Sequence, residues 1–551
     1  MKLKETIKKM INNHFQFDWH NILNEDKESW RQFKEKAKNG PKILIATSTG
    51  GHEAVTPIES LLAIALTLRG ANVHFLLCDK YLPACLMATT SGAMDTKEFS
   101  CYGPQKKLCD RCFSDGYKLY ISTGLPIHLY SNFVSIDEEN TAREIAKKIS
   151  NSEITKFKYD GIKIGEHSIA GALRYFARAD FSGEPYSLVI IKRYFQAGLL
   201  SYFALKRLLS QYKYYAAVLH HGIYIPQGII GEIMRRNGVD IITWAPAYRK
   251  KCFIFSHNDT YHHTLISEPK NKWESLKMSN KMKNALSVYL KSRWKGTNDW
   301  IWFHEKPSFD VSAHIKKMGI DISKPCIGLL TNVMWDAQLH YPANAFPDML
   351  SWLIETIRYF KTKKDLQLII RIHPAELRGT IPSRQRVADE IKKSFPQLPG
   401  NIFIISPDSE VSTYALMQLC NSVLIYGTKT GVELTSMGIP VIVAGEAWIK
   451  NKGITYDAKN RQEYFKILDQ LPFADKLTKR ISDRARKYAY HFFFRRMIPI
   501  SFANPRKNWP PYYIKIKYLR NLLPKADAGL DVICNGILQG KDFIYSAEKF
   551  T

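Results

Sequence analysis

Apolar residues fall into two alternating patterns along this chain. Short runs bounded by glycine, proline or polar clusters read as buried strands, and longer stretches with apolar positions every three or four residues read as helices. The clearest unit lies late in the sequence. Val423, Leu424, Ile425 and Tyr426 form a run too short for a helix that stops at Gly427. Thr428, Lys429, Thr430 and Gly431 then make a polar turn, a helix is predicted over 432–437, Gly438 ends it, and a strand follows over 439–444. This is a strand, helix, strand unit.

The same alternation recurs on both sides of it. Strands are predicted over 42–46, 72–78, 216–219 and 239–244, with helices over 55–69 and 229–237 and mainly helical chain from 141 to 209. After a charged stretch poor in strand signals, 268–310, the pattern restarts with strands at 326–330, 366–372 and 401–405, a helix at 346–360 and a helix start at Ser412 and Thr413. Two successive Rossmann-type α/β domains are expected, with a boundary near Ser308 and a ligand cleft between them. The predicted organisation is a helical extension over 1–39, a first domain over 40–308 with a cysteine-rich insertion at 78–112, a second domain over 309–490, and a basic segment over 491–551.

Composition supports two cores. A chain of 551 residues exceeds the roughly 250–300 at which single cores stop growing. No apolar run approaches the ~18 residues that span a bilayer, and the basic N-terminus lacks the apolar core of a secretory signal, so a cytoplasmic location is expected. Nine cysteines in this length fit a reducing compartment. The formal charge of +28 calls for a polyanionic partner: nucleic acid, anionic lipid or acidic polymer. From Lys479 to Lys525 thirteen Lys or Arg stand against the single acid Asp483, interleaved with Trp509, Tyr512, Tyr513 and other aromatics, which suits a membrane interface or RNA. No RNA-binding signature accompanies the charge, so a nucleic-acid partner is not expected.

Candidate chemistry gathers where predicted strands end. The turn at Thr428, Lys429, Thr430 and Gly431 offers hydroxyls, a cation and N–H groups to a phosphate, and Glu433 follows in its helix. Arg371, His373 and Pro374 close another strand, with Asn332 in the loop after 326–330. In the first half, Gly50 and Gly51 allow close backbone approach to a ligand, and His52 or Glu53 would serve as general base. The turn lacks the G-x-G-x-x-G spacing, so dinucleotide binding is not supported. His220 and His221 end a further strand. Cys109-x-x-Cys112, with Cys101 and Cys78 or Cys85 completing a tetrahedron, could hold a structural zinc ion; reduced buried thiols are the alternative.

Four motifs in order, Thr331-Asn332-Val333-Met334-Trp335-Asp336, Arg371-Ile372-His373-Pro374-Ala375-Glu376, Tyr426-Gly427-Thr428-Lys429-Thr430-Gly431-Val432-Glu433 and Gly445-Glu446-Ala447-Trp448, resemble the bacterial capsule polysaccharide biosynthesis proteins. These are GT-B glycosyltransferases related to enzymes that transfer Kdo or sialic acid from CMP donors. The resemblance covers about residues 320 to 545 and is weaker over the first half, where Gly50-Gly51-His52 is similar to an acceptor-side glycine loop. It implies that His373 and Pro374 contact the donor nucleotide, that Thr428 and Thr430 hold its phosphate, and that Glu433 meets the donor sugar or ribose. It also implies C-terminal helices that cross back to the first domain, no required cofactor or metal, and a lipid-linked or polymeric glycan acceptor. Work on the inner face of the cytoplasmic membrane with other capsule assembly proteins would follow. A teichoic-acid-type polyol-phosphate transferase, a nucleotide-sugar epimerase and a non-enzymatic nucleic-acid-binding protein are the competing readings.

Overall fold

The computed structural model describes residues 18–90, 95–300, 302, 307–337, 344–507 and 509–550. It divides into two compact units. The first comprises Met1–Tyr175, Gly183–Tyr261 and Arg496–Tyr545; the second comprises Phe176–Ser182, His262–Arg495 and Ser546–Thr551.

The first unit is built on parallel strands β1 (Lys42–Ser48), β2 (Asn72–Leu77), β3 (Ile127–Leu129), β4 (Ala216–His220) and β5 (Asp240–Pro246), with β6 (Cys252–His257) antiparallel beside β5 and Ile498–Pro499 pairing outside it. Across the sheet the order is Ile498–Pro499, β6, β5, β4, β1, β2, β3. The chain starts in the middle and builds outward in both directions, so the order reverses between β1 and β4. In open α/β sheets ligands bind outside the carboxyl ends of strands at such a reversal. The helix Thr56–Thr67, buried along its whole length, packs on β2 and supports that point from below.

The second unit repeats the device. Its strands β7 (Cys326–Leu330), β8 (Gln367–Arg371), β9 (Ile402–Ile405), β10 (Ser422–Ile425), β11 (Val441–Val443) and β12 (Tyr456–Asp457) are all parallel, in the order β12, β11, β10, β7, β8, β9. The reversal here falls between β7 and β10. A core of Ile327, Leu329, Trp352, Leu353, Ile357, Leu368, Ile370 and Leu424 fills one face.

Three expectations are corrected. The stretch before β7 belongs to the second unit, whose main segment starts at His262 and not near Ser308. Trp273 is fully buried with its ring 5.1 Å from that of Tyr488, and Arg293 pairs with Glu433, so packing ties this charged segment to the second sheet. The N-terminal residues from 18 onward are part of the first unit and not an appendage. Trp19 Nε1 donates to Ser60 Oγ at 2.9 Å and Trp30 Nε1 donates to the Thr123 carbonyl at 3.0 Å, both in buried settings; residues 1–17 of the expected extension lie outside the described residues. One helix, Ser187–Gln211, has 25 residues and is apolar enough by composition to cross a membrane, which the sequence reading did not find. It is 72% buried over its most apolar window and packs against the helices Ile136–Lys148 and Gln227–Arg236 of its own unit, as a core helix does. The return to the first unit begins at Arg496.

Candidate active site

In the second unit three loops meet at the reversal point. Thr331, just past β7, accepts a hydrogen bond from the His373 N–H through its Oγ1 at 3.0 Å. Its neighbour Asn332 accepts from the Gly427 N–H through Oδ1 at 3.3 Å. The loop after β7 therefore pins the ends of both β8 and β10. A Cβ on Gly427 would lie 3.8 Å from the Glu446 carbonyl, so the loop after β11 adjoins as well.

The side chains at this point are set by local geometry. Pro374 stands at the start of the short helix Ala375–Arg378, and the Ala375 N–H donates to His373 Nδ1 at 3.0 Å. With Nδ1 accepting, the neutral imidazole carries its proton on Nε2 and presents a donor there. The Thr428 hydroxyl donates to Thr430 Oγ1 at 3.2 Å and accepts from the Thr430 N–H at 3.4 Å, which leaves the Thr430 proton for another acceptor. An imidazole N–H and a hydroxyl O–H on adjoining loops are suited to an anionic oxygen.

Other expected donor-side residues are committed elsewhere. Arg371 is 1% exposed; its guanidinium donates to the Ser406 carbonyl and, at 3.1 Å, to the Ser409 carbonyl, holding the loop after β9. Burial pushes it down to about 10. Glu433 is buried in a four-charge cluster, 2.9 Å from Arg293 Nε and 3.2 Å from Lys429 Nζ, with Arg293 also paired to Asp299. Burial raises the Glu433 carboxyl, but Arg293 and Lys429 together outweigh it and hold the group below its ordinary range. Desolvation lowers the Lys429 ammonium, and Arg293 adds to that. Glu433 and Lys429 thus neutralise each other and Arg293 neutralises Asp299, so neither Glu433 nor Lys429 is a group simply waiting for a ligand. A Cβ on Gly431 would come within 2.7 Å of Ile425 Cδ1, so the end of that side chain would have to shift. Sequence reasoning missed Arg293 and Asp299, which flank the helix-ending Gly296 in a stretch without strand signals. It also assigned no role to Glu446, 3.5 Å from His263 Nε2, or to His262, whose Nδ1 lies 3.1 Å from Trp448 Nε1.

In the first unit the reversal point gathers histidines. The His52 ring centroid lies 5.2 Å from that of His220, which is 5.5 Å from His221 and 5.4 Å from Trp244. Both flanking strands end in left-handed residues, Ser48 at φ 66° and His221 at φ 67°. Non-glycine residues held there store strain of the kind concentrated at ligand sites. Burial lowers His52 to about 4, with Arg174 and His221 adding to the effect, and lowers His220 well below the usual histidine range. All three imidazoles stand on one short arc, with His52 and His220 neutral at pH 7.

Beneath them lies an acid that the sequence reading passed over. Glu59 is fully buried, and its Oε1 accepts from the Thr47 hydroxyl and, at 3.1 Å, from Trp244 Nε1. Thr47 Oγ1 in turn accepts from the His220 N–H at 2.8 Å, and the Thr47 carbonyl accepts from Gln227 Nε2 at 2.8 Å. Glu59 therefore ties β1, β4 and β5 together under the histidines. Burial pushes its carboxyl up to about 8, so it is protonated at neutral pH. A lone acid inside the apolar run Thr56-Pro57-Ile58-Glu59-Ser60-Leu61-Leu62 was the available signal.

Gly50 and Gly51 are corrected. A Cβ on Gly50 would lie 2.6 Å from the Cys112 carbonyl and 2.8 Å from Gly116 Cα, and one on Gly51 2.8 Å from Cys112 Cα. The glycines are there so that the helix Lys106–Ile121 can lie against the turn, and the Gly51 N–H donates to Cys112 Sγ at 3.1 Å. Cys101 is exposed on the separate helix Thr96–Tyr102, and among the described residues no group of three or more His, Cys, Asp or Glu is placed to hold a metal ion. Burial pushes the Cys109 thiol up to about 11, as for an inert packed thiol. Glu53 is held by Arg111 Nη2 at 2.9 Å, which leaves His52 as the better placed of the two base candidates.

Comparison with known proteins gives one sequence match. Residues 324–478 match the family described as capsule polysaccharide biosynthesis protein. Curated proteins give no match. Among solved structures, KpsC of Thermosulfurimonas dismutans, a beta Kdo 2,4 transferase, is similar at 11% identity, covering 50% of this chain and 79% of that one with a TM-score of 0.32. The Streptomyces sp. SF2575 glycosyltransferase SsfS6, complexed with thymidine diphosphate, aligns at 10% identity over 82% of this chain and 94% of its own, with a TM-score of 0.23. The UDP-GlcNAc 2-epimerase of Neisseria meningitidis, bound to UDP-GlcNAc, aligns at 10% identity over 82% and 95%, also at 0.23. The sequence match is the informative one, because it spans β7 to β12 with Thr331, Asn332, His373, Gly427, Thr428 and Thr430. Residues 324–478 thus resemble the capsule polysaccharide biosynthesis family over the whole of the second sheet.

Proposed function

We propose that the chain is a glycosyltransferase that moves a sugar from a nucleotide-activated donor to a growing capsule or other surface polysaccharide. One observation carries the reading: inside the segment that matches the capsule family, the loops after β7, β8 and β10 are hydrogen-bonded to one another at the reversal point of the sheet. The donor is assigned to this unit. The His373 Nε2–H and the Thr430 hydroxyl would meet the donor phosphate oxygens, where charge grows as the sugar leaves, and preorganised donors there lower the barrier. Thr331 and Asn332 position both loops.

The acceptor is assigned to the first unit, with His52 as the base that takes the proton of the attacking hydroxyl. A neutral imidazole is the required starting form, and burial keeps His52 in it. Glu59 acts as a positioning residue through Thr47 and Trp244.

The test is a donor screen with purified protein, following nucleotide release from CMP-, UDP-, GDP- and CDP-activated substrates, each with and without a chelator. Release from a nucleotide sugar, dependent on added glycan, is expected. Turnover of a CDP-polyol alone would move the assignment to a polyol-phosphate transferase, and no nucleotide binding at all would refute the reading.

A further inference from the structure

The first unit carries a surface element beside His52 that the transfer chemistry does not use. The returning chain forms a hairpin in which Ala503–Pro505 pairs antiparallel with Tyr512–Ile514. It is anchored at one point: the Tyr512 hydroxyl donates to the Ala54 carbonyl, two residues after His52, and the Tyr512 ring meets that of Phe253 at 5.3 Å. Arg506 braces the connection through its Nη2, which donates to the Trp509 carbonyl at 3.1 Å, and its N–H, which donates to the Pro511 carbonyl at 2.9 Å.

What the hairpin shows to solvent is specific. Trp509 is 47% exposed, yet its ring centroid lies 6.5 Å from that of His52. Along the return strand Tyr512, Ile514 and Ile516 are buried while Tyr513, Lys515 and Lys517 are exposed, so the exposed three share one face of an extended segment. Lys507 is exposed as well. From Met497 to Ala526 the sequence has no Asp or Glu. Next to His52, Glu53 is bonded to Arg111 on the helix Lys106–Ile121, whose Lys106, Lys107, Arg111 and Lys118, with the acids Asp110 and Asp115, line an open groove of about 660 Å³.

We propose that this hairpin is an acceptor-holding surface for an anionic glycan chain, with Trp509 stacking on a sugar ring next to His52 and Lys507, Lys515 and Lys517 meeting the carboxylate or phosphate groups of the same chain. The inference rests on the transferase reading and deepens it. An exposed indole face takes the C–H edge of a pyranose while its other surroundings stay wet. Cations spaced along a strand match charges repeated along a polymer, and basic groups on the hairpin and on the helix Lys106–Ile121 suit a chain that runs past the reacting end. A lipid surface is the poorer fit, because a membrane-entering face presents a continuous apolar stripe, whereas the exposed aromatics here, Trp509 and Tyr513, stand among exposed lysines and the aliphatics, Ile514 and Ile516, are turned inward.

The experiment compares wild type with Trp509→Ala, Trp509→Phe and the triple variant Lys507→Gln, Lys515→Gln, Lys517→Gln, each checked for native circular dichroism. The probes are galacturonate oligomers, dextran oligomers of matched length and phosphatidylglycerol vesicles, in a salt series. Expected results are salt-sensitive binding of the galacturonate oligomers that tightens with length, a loss of about tenfold in Trp509→Ala that Trp509→Phe largely restores, and a shallower salt dependence in the triple variant. Unchanged galacturonate affinity in Trp509→Ala and the triple variant would overturn the proposal, as would equal binding of dextran, or loss confined to vesicles. Nucleotide affinity of the wild-type protein is measured in parallel. If nucleotide binds and the oligomer result fails, the acceptor surface alone is wrong; if nucleotide does not bind, the transferase reading itself fails.

Discussion

Replacing Glu59 by glutamine should change how the stability of the first unit responds to pH. In the folded chain the Glu59 carboxyl titrates at about 8, raised by burial, against an ordinary value of 4.5. The folded state thus holds a proton that the unfolded state releases once pH passes about 4.5. By linkage, stability is greatest below that value and falls as pH rises, until the folded carboxyl ionises too, near 8. At pH 7 the accumulated loss is about 2.5 units at 1.36 kcal/mol each, roughly 3 kcal/mol, and it levels off near 5 kcal/mol above pH 8. Glutamine keeps a carbonyl for Thr47 and Trp244 and cannot ionise. Glu59→Gln should therefore match wild type near pH 5 to within its own packing cost, and gain on it by about 3 kcal/mol between pH 5 and pH 8.

The assay must read the first unit alone, because a two-unit chain has no single unfolding free energy. Hydrogen exchange of peptides from β1 and from the helix Thr56–Thr67, compared between variant and wild type at the same pH, meets that need, since intrinsic exchange rates cancel. Every other titrating group is common to the two proteins, so their difference isolates Glu59. Parallel protection profiles from pH 5 to pH 8 would refute the claim that a buried neutral carboxyl braces the histidine arc.

Three further outcomes follow from the same geometry. His373→Ala and Thr430→Ala should each weaken donor binding or turnover ten- to a hundredfold, as expected for about 1.5–3 kcal/mol of charge-assisted contact, with native circular dichroism retained; wild-type kinetics would remove the donor assignment. Gly51→Ala should lower the stability of the first unit by about 1–3 kcal/mol, because the added Cβ meets Cys112 Cα at 2.8 Å, and a fully stable but inactive variant would restore the ligand-loop reading. If His52 is the base, the acid limb of kcat/KM should fall near pH 4, where burial places its titration, and a limb near 6.5 that vanishes in His52→Gln would mean that the site is more open to water than it is here.

The strands, their order along the chain and the points where polar residues cluster were legible because their signals are local. Gly427 and Gly438 punctuate the second unit, Pro374 fixes the end of β8, and His52, His220 and His373 all fall at the carboxyl ends of strands beside a reversal. What could not be read is which polar groups the fold consumes for itself. The partners that claim Arg371 are carbonyls 35 and 38 residues away, and Gly51 answers to a cysteine 61 residues on. Glu433 and Lys429 looked like ligands because nothing near them in sequence shows that Arg293 will be folded against them. Strand β3 and the antiparallel β6 were passed over for a different reason: β3 is only three residues long, too short for a pattern despite Gly124 and Pro126 before it, and the run of β6 has no adjoining glycine or proline.

The same distinction governs the positive charge. Arg495 and Arg496 counted toward an anion-binding segment in the sequence. In the structure Arg496 is 4% exposed, donating to the carbonyls of Phe543 at 2.8 Å and Phe255 at 3.1 Å, and Arg495 donates to the Lys272 carbonyl at 2.9 Å. Lys452 is buried on the carbonyls of Ile266 and Glu268, and Lys450 on that of Ala458. These cations satisfy main-chain carbonyls, most of them in loops and short helices, and a buried charge so used costs several kcal/mol if its partners are removed. They add to the long-range field without touching an outside anion. A net charge of +28 therefore overstates the surface available to a polyanion. Among the cations that remain outward, Lys507, Lys515, Lys517 and Arg520 stand on the returning segment that also sets an exposed tryptophan beside His52. Charge alone fits any polyanion; charge placed next to a reacting group selects the polymer on which that group acts.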